Sequence, residues 1–297
     1  MECSQVRIGD IATYRKENIH PVAGTQYHCY SLPSFDNGRI PETIDGRDIR
    51  SSKLRVEPGD ILVNKLNMRF RRIWLIDSQM PNSICSTEFV PLVPKDYINR
   101  RYLYYVLNSD SFTEALSNMR TGTSGSHQRV KPEWILDYSF PLPDLASQEI
   151  VSSILGSLDD RVRLNQRIND YLLEIATAQF NSLINTSSQP FRLDDLIILE
   201  DSKRIPLNSR DRAKRHGRYP YYGAASIMDY IDDYLFDGIR VLLGEDGTVA
   251  TDDGHPILQY VWGKYWVNNH AHVIKSAGVF PLEAIYIALS QASASEL

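Results

Sequence analysis

Cysteine is scarce in this chain: there are three among 297 residues, Cys3, Cys29 and Cys85. None belongs to a C-x-x-C pair or stands beside a histidine at a metal-ligand spacing, so neither a disulfide framework nor a zinc site is expected, and a reducing compartment is. Long apolar runs are missing too. The longest, Val279 to Leu289, is interrupted by Glu283 and is too short to span a bilayer, and the polar N-terminus MECSQVRIGD lacks the apolar stretch of a signal peptide. The expected location is the cytoplasm, with no membrane partner. Positive charge is not in excess: the net charge is -5, which weighs against affinity dominated by phosphate neutralisation.

Catalytic motifs are also absent. There is no G-x-x-x-x-G-K-S/T loop, no G-x-G-x-x-G opening a helix, no G-x-S-x-G elbow, and no N-P-P-F/Y or D-P-P-Y tetrapeptide of an adenine methyltransferase. Asp60 with Lys65, or Glu245, Asp246, Asp252 and Asp253, could start a nuclease argument, but acidic glycine-containing turns are usually only turns. His270-Ala271-His272 would put two imidazoles on one face of a strand. With no third ligand in view, it reads as a packed strand with hydrogen-bonded histidines. No catalytic residue, no metal site and no cofactor are expected in this chain.

What is present is the composition of a folded protein, 42% hydrophobic and 23% charged with 17 tyrosines, and enough length for two domains. An internal repeat supports two. Val6-Arg7-Ile8-Gly9-Asp10-Ile11 is echoed by Phe191-Arg192-Leu193-Asp194-Asp195-Leu196, and Pro58-Gly59-Asp60-Ile61-Leu62-Val63 by the turn and apolar run from Asp237 to Leu243. Ser86 to Val90 followed by Tyr102 to Leu107 is echoed, 182 residues later, by Asn268 to Val273 followed by Ala284 to Leu289. Both blocks read as short strands with turns, ending in a short helix such as Arg101 to Asn108. The expected class is α+β, each domain built around an antiparallel or mixed sheet.

Between the blocks, Ser147 to Ile184 contains no proline and a single glycine, Gly156. Apolar residues at Val151, Leu155, Leu158, Val162, Ile168, Leu172 and Ile175, in steps of three and four interrupted by Asn165, predict one long amphipathic helix with a coiled-coil-like seam. Periodicity alone equally allows a helix packed on its neighbouring domain. The expected boundaries are 1–146, 147–185 and 186–297.

Pro141-Leu142-Pro143-Asp144-Leu145-Ala146-Ser147-Gln148-Glu149-Ile150, then Leu158 to Asn169 (LDDRVRLNQRIN), together with Leu242 to Gly247 (LLGEDG) and Trp262 to His272 (WGKYWVNNHAH), resemble the specificity subunits of type I restriction-modification systems. The resemblance covers essentially the whole chain. It implies two tandem target-recognition domains, each reading one half of a split site in double-stranded DNA, with the helix between them as spacer. It also implies methyltransferase subunits docked on that helix and a separate restriction (motor) subunit. S-adenosylmethionine, ATP and magnesium would act only on those partners. Adding the repeat offset of 182 to Ile184 places the end of a second long helix near position 366, about 70 residues further on. The chain is therefore expected to be a truncated, rearranged or partner-completed form, closed by a homodimer or by a second half-subunit. The competing expectation is an inactive interaction module that only dimerises or binds methyltransferase subunits through its exposed helix.

Expected DNA contacts are polar and basic loop residues, since arginine and lysine suit guanine edges and phosphates while asparagine suits adenine. They are Lys65, Asn67, Arg69 and Arg71, and Thr123, Ser124, His127 and Arg129 in a small-residue loop. In the second block they are Lys203, Arg210, Arg212, Lys214, Arg215, Arg218 and Tyr221 in the densest basic and aromatic run. The partner-binding face is expected at Val151, Leu155, Leu158, Val162, Asn165, Ile168, Leu172 and Ile175.

Overall fold

A computed structural model describes residues 4–68, 70–78, 80–119, 129–184, 190–247, 249–251 and 253–295. The chain divides into two compact units, Met1–Asn165 and Gln166–Leu297.

The first unit runs β1 (Ser4–Arg7), α1 (Ile8–Ile11), β2 (Ala12–Tyr14), β3 (Asn18–Ile19), β4 (Gln26–Tyr30), α2 (Leu32–Asp36), β5 (Glu42–Asp45), β6 (Lys53–Arg55) and β7 (Ile61–Asn64). It continues through β8 (Ile73–Leu75), β9 (Ser83–Cys85), β10 (Phe89–Pro94), α3 (Arg100–Leu107), α4 (Asp110–Asn118), α5 (Pro132–Asp137) and β11 (Ser139–Leu142) into α6 (Leu145–Ile184). Two sheets form its body. One is antiparallel in the order β2-β10-β7-β8; the other is mixed, β3-β6-β9-β4-β5, with β4 and β9 parallel. β1 and β11 pair separately.

β7 shows why the sequence reads this way. Ile61, Leu62, Val63 and Asn64 are all buried, without the alternation of a half-exposed strand, because both faces of the sheet are covered. Ile61 and Val63 pack toward the cluster that holds Leu103 and Leu107 of α3, while Leu62 packs with Trp74, Phe89 and Leu54 between the two sheets. Gly59, at a φ of 92° that side-chain-bearing residues rarely adopt, makes the turn into this strand.

The second unit runs α7 (Leu193–Leu196), β12 (Ile197–Leu199), α8 (Ser209–Ala213), β13 (His216–Tyr222), β14 (Ile227–Ile231), β15 (Phe236–Asp237), β16 (Arg240–Gly244), β17 (Leu258–Val261), β18 (Lys264–Val267), β19 (Ala271–Ser276) and α9 (Leu282–Gln291). Its antiparallel sheet, β12-β19-β16-β17, repeats β2-β10-β7-β8 strand for strand. Its mixed sheet, β14-β13-β18-β15, repeats β5-β4-β9-β6, parallel pair included. Gly238, φ 106°, is the counterpart of Gly59. Val241 faces α9 and Leu242 faces the mixed sheet, as Ile61 and Leu62 do in the first unit. The repeated segments seen in the sequence are thus repeated structural positions.

α6 is one continuous helix of 40 residues. Its first turns pack on the first unit through small and polar residues. Gln148, Ser152 and Gly156 are its buried positions, while Leu158, Val162, Ile168, Leu172 and Ile175 are exposed. Gln148 Oε1 accepts the backbone N–H of Asn99, the N-cap of α3, and its amide donates to Pro143 O. Ser152 Oγ donates to Asn99 Oδ1, and the Tyr105 hydroxyl donates to Asp159. A polar stripe holds the helix down and leaves the apolar seam outside.

Candidate functional site

In the first unit the structure gathers part of the predicted set. Lys65 follows β7, accepts from the backbone N–H of Val130 and donates its own to Glu88 O, which draws Lys65, Asn67 and Arg129 into one rim. Leu66 and Arg129 form an isolated bridge there. Asn67 adopts a left-handed conformation, φ 54°, that asparagine tolerates. Buried Asn64 holds the 65–72 loop: its amide donates to Leu66 O and Phe70 O, and its oxygen accepts from Arg72 N. Two arginines here are already partnered. Arg129 grips Glu88 through two bonds, which push its pKa up, and Arg71 binds Asp110 and Asn108 O. Arg69, Thr123, Ser124 and His127 lie outside the described residues. Sequence reading missed Asn64, Glu88 and Arg72, the last bound to Asp36 at 2.7 Å; a buried asparagine ending an apolar strand was the available signal.

In the second unit the basic run separates into two groups. Arg212 turns inward, donating to Leu207 O at 2.7 Å beside Asp229 and lying over the Tyr221 ring. Arg215 binds Asp232 and lies over Trp266, and Lys203 binds Glu200. Tyr221, expected at the DNA surface, is instead a core residue: it is 1% exposed and its hydroxyl accepts from Leu207 N. Alternation along β13 sends it under the sheet. Arg210, Lys214 and Arg218 remain exposed, and Arg210 and Lys214 have no ion pair among the described residues.

The structure extends the run with Tyr234 and Lys264. Arg218 lies over Tyr219, Tyr219 and Tyr234 sit 5.2 Å apart, and Lys264 lies 4.4 Å from the Tyr234 ring centre. This row of cations and aromatic rings offers groups that contact phosphates and bases. Its members are distant in sequence, which hid the row from a linear reading.

The two histidines go to different acids rather than to one site. His270 Nδ1 lies 3.2 Å from Asp246, and His272 Nδ1 lies 2.6 Å from Asp201. Asp201, Glu245 and His272 have ligand atoms within 4.8 Å of one another, a donor set that a cation could use. Arg204 already projects into it, donating to Glu245 at 2.5 Å and lying 3.6 Å from Asp201. A guanidinium therefore already neutralises part of the acids' charge, and the cluster reads as an ion-pair network.

No helix among the described residues is long and apolar enough to cross a membrane. The chain is similar to the specificity subunit S.HindORF215P of Haemophilus influenzae, 38% identical over 82 residues that make up 28% of this chain and 20% of that one. It is similar also to the type I restriction enzyme HindI specificity subunit of the same organism, 28% identical over 132 residues, 44% of this chain and 29% of that subunit. The matched stretches thus span less than a third of these relatives. Among solved structures, the type I restriction-modification system S subunit from M. genitalium superposes with a TM-score of 0.54 at 15% identity, covering 97% of this chain and 76% of that one, which establishes the shared fold. The family model described as "Type I restriction modification DNA specificity domain" matches residues 2–174 and again 185–294. Matched twice, once over each repeated unit, the chain belongs to the type I restriction modification DNA specificity domain family.

Proposed function

We propose that this chain is the DNA-recognition subunit of a type I restriction-modification complex. Each unit reads one half of a split double-stranded site, and α6 carries the methyltransferase subunits. The observation that carries the reading is the repeat itself: the specificity-domain model matches two structurally repeated units joined by one uninterrupted helix. Two copies of one reading module on a rigid connector suit a split site, because rotation per base pair ties half-site spacing to the connector.

The chain performs no chemistry in this scheme. Methyl transfer with S-adenosylmethionine, and ATP- and magnesium-dependent restriction, belong to the partner subunits. Within the chain, the first unit presents the rim of Lys65, Asn67 and Arg129. Arg71 and the undescribed Arg69, Thr123, Ser124 and His127 belong to the same proposal. The second unit presents Lys203, Arg210, Lys214 and Arg218, extended by Tyr219, Tyr234 and Lys264. Arg212 and Arg215, committed to carboxylates and lying over the Tyr221 and Trp266 rings, hold that surface in shape, whereas Lys203 stays exposed beside its partner Glu200.

The test is co-expression with a methyltransferase subunit of the same system, followed by base-resolved mapping of adenine methylation. A split methylated motif that disappears with this chain is expected. A stable complex that methylates at random, or no complex, would overturn the reading.

A further inference from the structure

The register of the repeat carries past the ends of the strands. Asn64 pairs with Phe89 and Gly244 with Ala271, so Lys65-Leu66-Asn67 is replaced in the second unit by Glu245-Asp246-Gly247, and Glu88 by His270. The backbone agrees. Lys65 N donates to Glu88 O and Glu245 N to His270 O, both at 2.9 Å, while Ser86 N donates to Tyr30 O and Asn268 N to Tyr222 O. Asn67 and Gly247 both take a left-handed conformation, φ 54° and 88°. The rim that gathers Lys65 and Asn67 in the first unit therefore has a counterpart at Glu245, Asp246, Gly247 and His270, beyond the C-terminal ends of β13 and β18. Lys264 begins β18 and Arg218 lies toward the start of β13, at the opposite end of the same pair of strands.

The counterpart carries different chemistry. Asp246, Gly247 and His270 share an open cleft of about 370 Å³ with the small-residue turn 223–226, and neither lysine nor arginine lines it. Glu245 is taken up by Arg204 at 2.5 Å. Asp246 is not: its side chain is 63% exposed, one carboxylate oxygen lies 3.2 Å from His270 Nδ1, and the other has no partner among the described residues. Buried Asn268 positions the histidine, its Oδ1 accepting from the backbone N–H of His270 at 2.8 Å. We infer that the Asp246 carboxylate is a base-reading group of the second unit and accepts from the exocyclic amine of a cytosine in the major groove. A carboxylate accepts and does not donate, so it repels phosphate oxygens, the O6 and N7 edge of guanine and the O4 of thymine. Adenine offers an N6 amine but sets the N7 acceptor beside it, which leaves the cytosine N4 amine as the matching edge. Glycine and alanine in the facing turn leave room for that edge to approach. In the first unit Lys65 and Asn67 bring donors to the equivalent rim, so the two half-sites differ in sequence. The inference rests on the DNA reading above; it assigns base readout to this end of the second unit and leaves phosphates to the row of Arg218, Tyr219, Tyr234 and Lys264.

The experiment maps adenine methylation base by base in cells that express the methyltransferase complex with the unsubstituted chain, with Asp246→Asn or with Asp246→Ala. Asp246 is exposed, so neither change touches the core. Asparagine keeps the shape and adds a donor, which suits the N6 and N7 edge of adenine. One position of one half-site should turn from C·G to A·T in the Asn variant and lose its preference by about ten-fold in the Ala variant, with the other half and the spacing unchanged. Anisotropy titrations of the purified complexes against duplexes carrying that single exchange should show the same change of preference. An unchanged motif, or an equal loss at every position, would overturn the inference and leave the DNA reading standing. Absence of a split motif with the unsubstituted chain would overturn that reading and the inference with it.

Discussion

Arg240 donates to Glu200 at 2.5 Å, and at the same place in the first unit Arg15 donates to Asp60 at 2.9 Å, so the repeat keeps the bridge and exchanges its charges. Each bridge ties the residue after the first strand of the antiparallel sheet to the start of the third. The backbones agree: Arg15 N donates to Pro91 O and Glu200 N to Val273 O. Even the outer partner is exchanged, Glu57 beside Arg15 and Lys203 beside Glu200. Both bridges are mostly dehydrated, with side-chain exposures of 18% and 2% in the first unit and 14% and 9% in the second.

Removing one member of such a pair strands the other, so Asp60→Ala or Arg240→Ala should each cost about 3 kcal/mol in urea unfolding. The charge-exchanged pair Arg15→Glu with Asp60→Arg should recover part of the Asp60→Ala loss, and adding Glu57→Lys should recover more. Equal instability of the exchanged and the single variants would show that local geometry, not pairing, is decisive.

Burial by itself pushes the Glu200 pKa up, but bonds from Arg240 and Lys203 outweigh it and hold the carboxyl below its ordinary 4.5. A depressed folded-state pKa means that the unfolded chain binds the proton first as acid is added. The stabilisation is complete above pH 4.5 and is lost as the pH falls toward the lowered value. Melting temperatures from pH 6 to pH 3 should fall less steeply below pH 4.5 in Glu200→Gln than in the parent chain. Parallel curves would remove Glu200 from the acid response.

The two faces of α6 should respond oppositely to substitution. Gln148→Ala strands the Asn99 N–H and the Pro143 carbonyl and should cost about 1–3 kcal/mol. Leu164→Gln, at an exposed position of the same helix, should stay within about 0.5 kcal/mol despite removing a large apolar group. Chemical denaturation of the two variants decides this, and the reverse ranking would contradict the packing described.

For DNA, Arg210→Ala, Lys214→Ala and Arg218→Ala together should lower the salt dependence of binding, by about 0.9 in slope for each phosphate that these side chains neutralise. Arg212→Ala should instead lower the folding stability of the second unit, because Leu207 O and Asp229 lose their partner. Fluorescence anisotropy of the methyltransferase complex over a salt series, beside thermal melts, separates the two effects. An unchanged slope in the triple variant would move the DNA surface elsewhere.

Much of the architecture was legible because it repeats locally. The turn at Gly59 and its echo at Gly238, the repeated segments that hold α1 and α7, and the apolar period of α6 each depend on contiguous residues. The two-sheet arrangement was less legible, since short buried strands such as Ile61–Asn64 carry no alternation to say how many sheets share them. At the candidate surface, charge counting located the second-unit run but could not tell Arg212 from Lys214. Their difference is set by Asp229 and Tyr221, brought in by neighbouring strands. Tyr219, Tyr234 and Lys264 form a row only after β13 and β18 come together.

That joining has a kinetic consequence. β4 with β9, and β13 with β18, are parallel neighbours, so neither pair can be closed by a tight hairpin, and each must wait for a long intervening stretch of chain to be drawn in. Antiparallel neighbours such as β7 with β8 and β16 with β17 have 8 and 13 residues to close, against 52 and 41 for the parallel pairs, and should assemble earlier. Longer still are the closures of β2 on β10 and of β12 on β19, with 74 and 71 residues between the strands, so the edge strands of the antiparallel sheets, and with them the Arg15–Asp60 and Arg240–Glu200 bridges, are expected to lock each unit last.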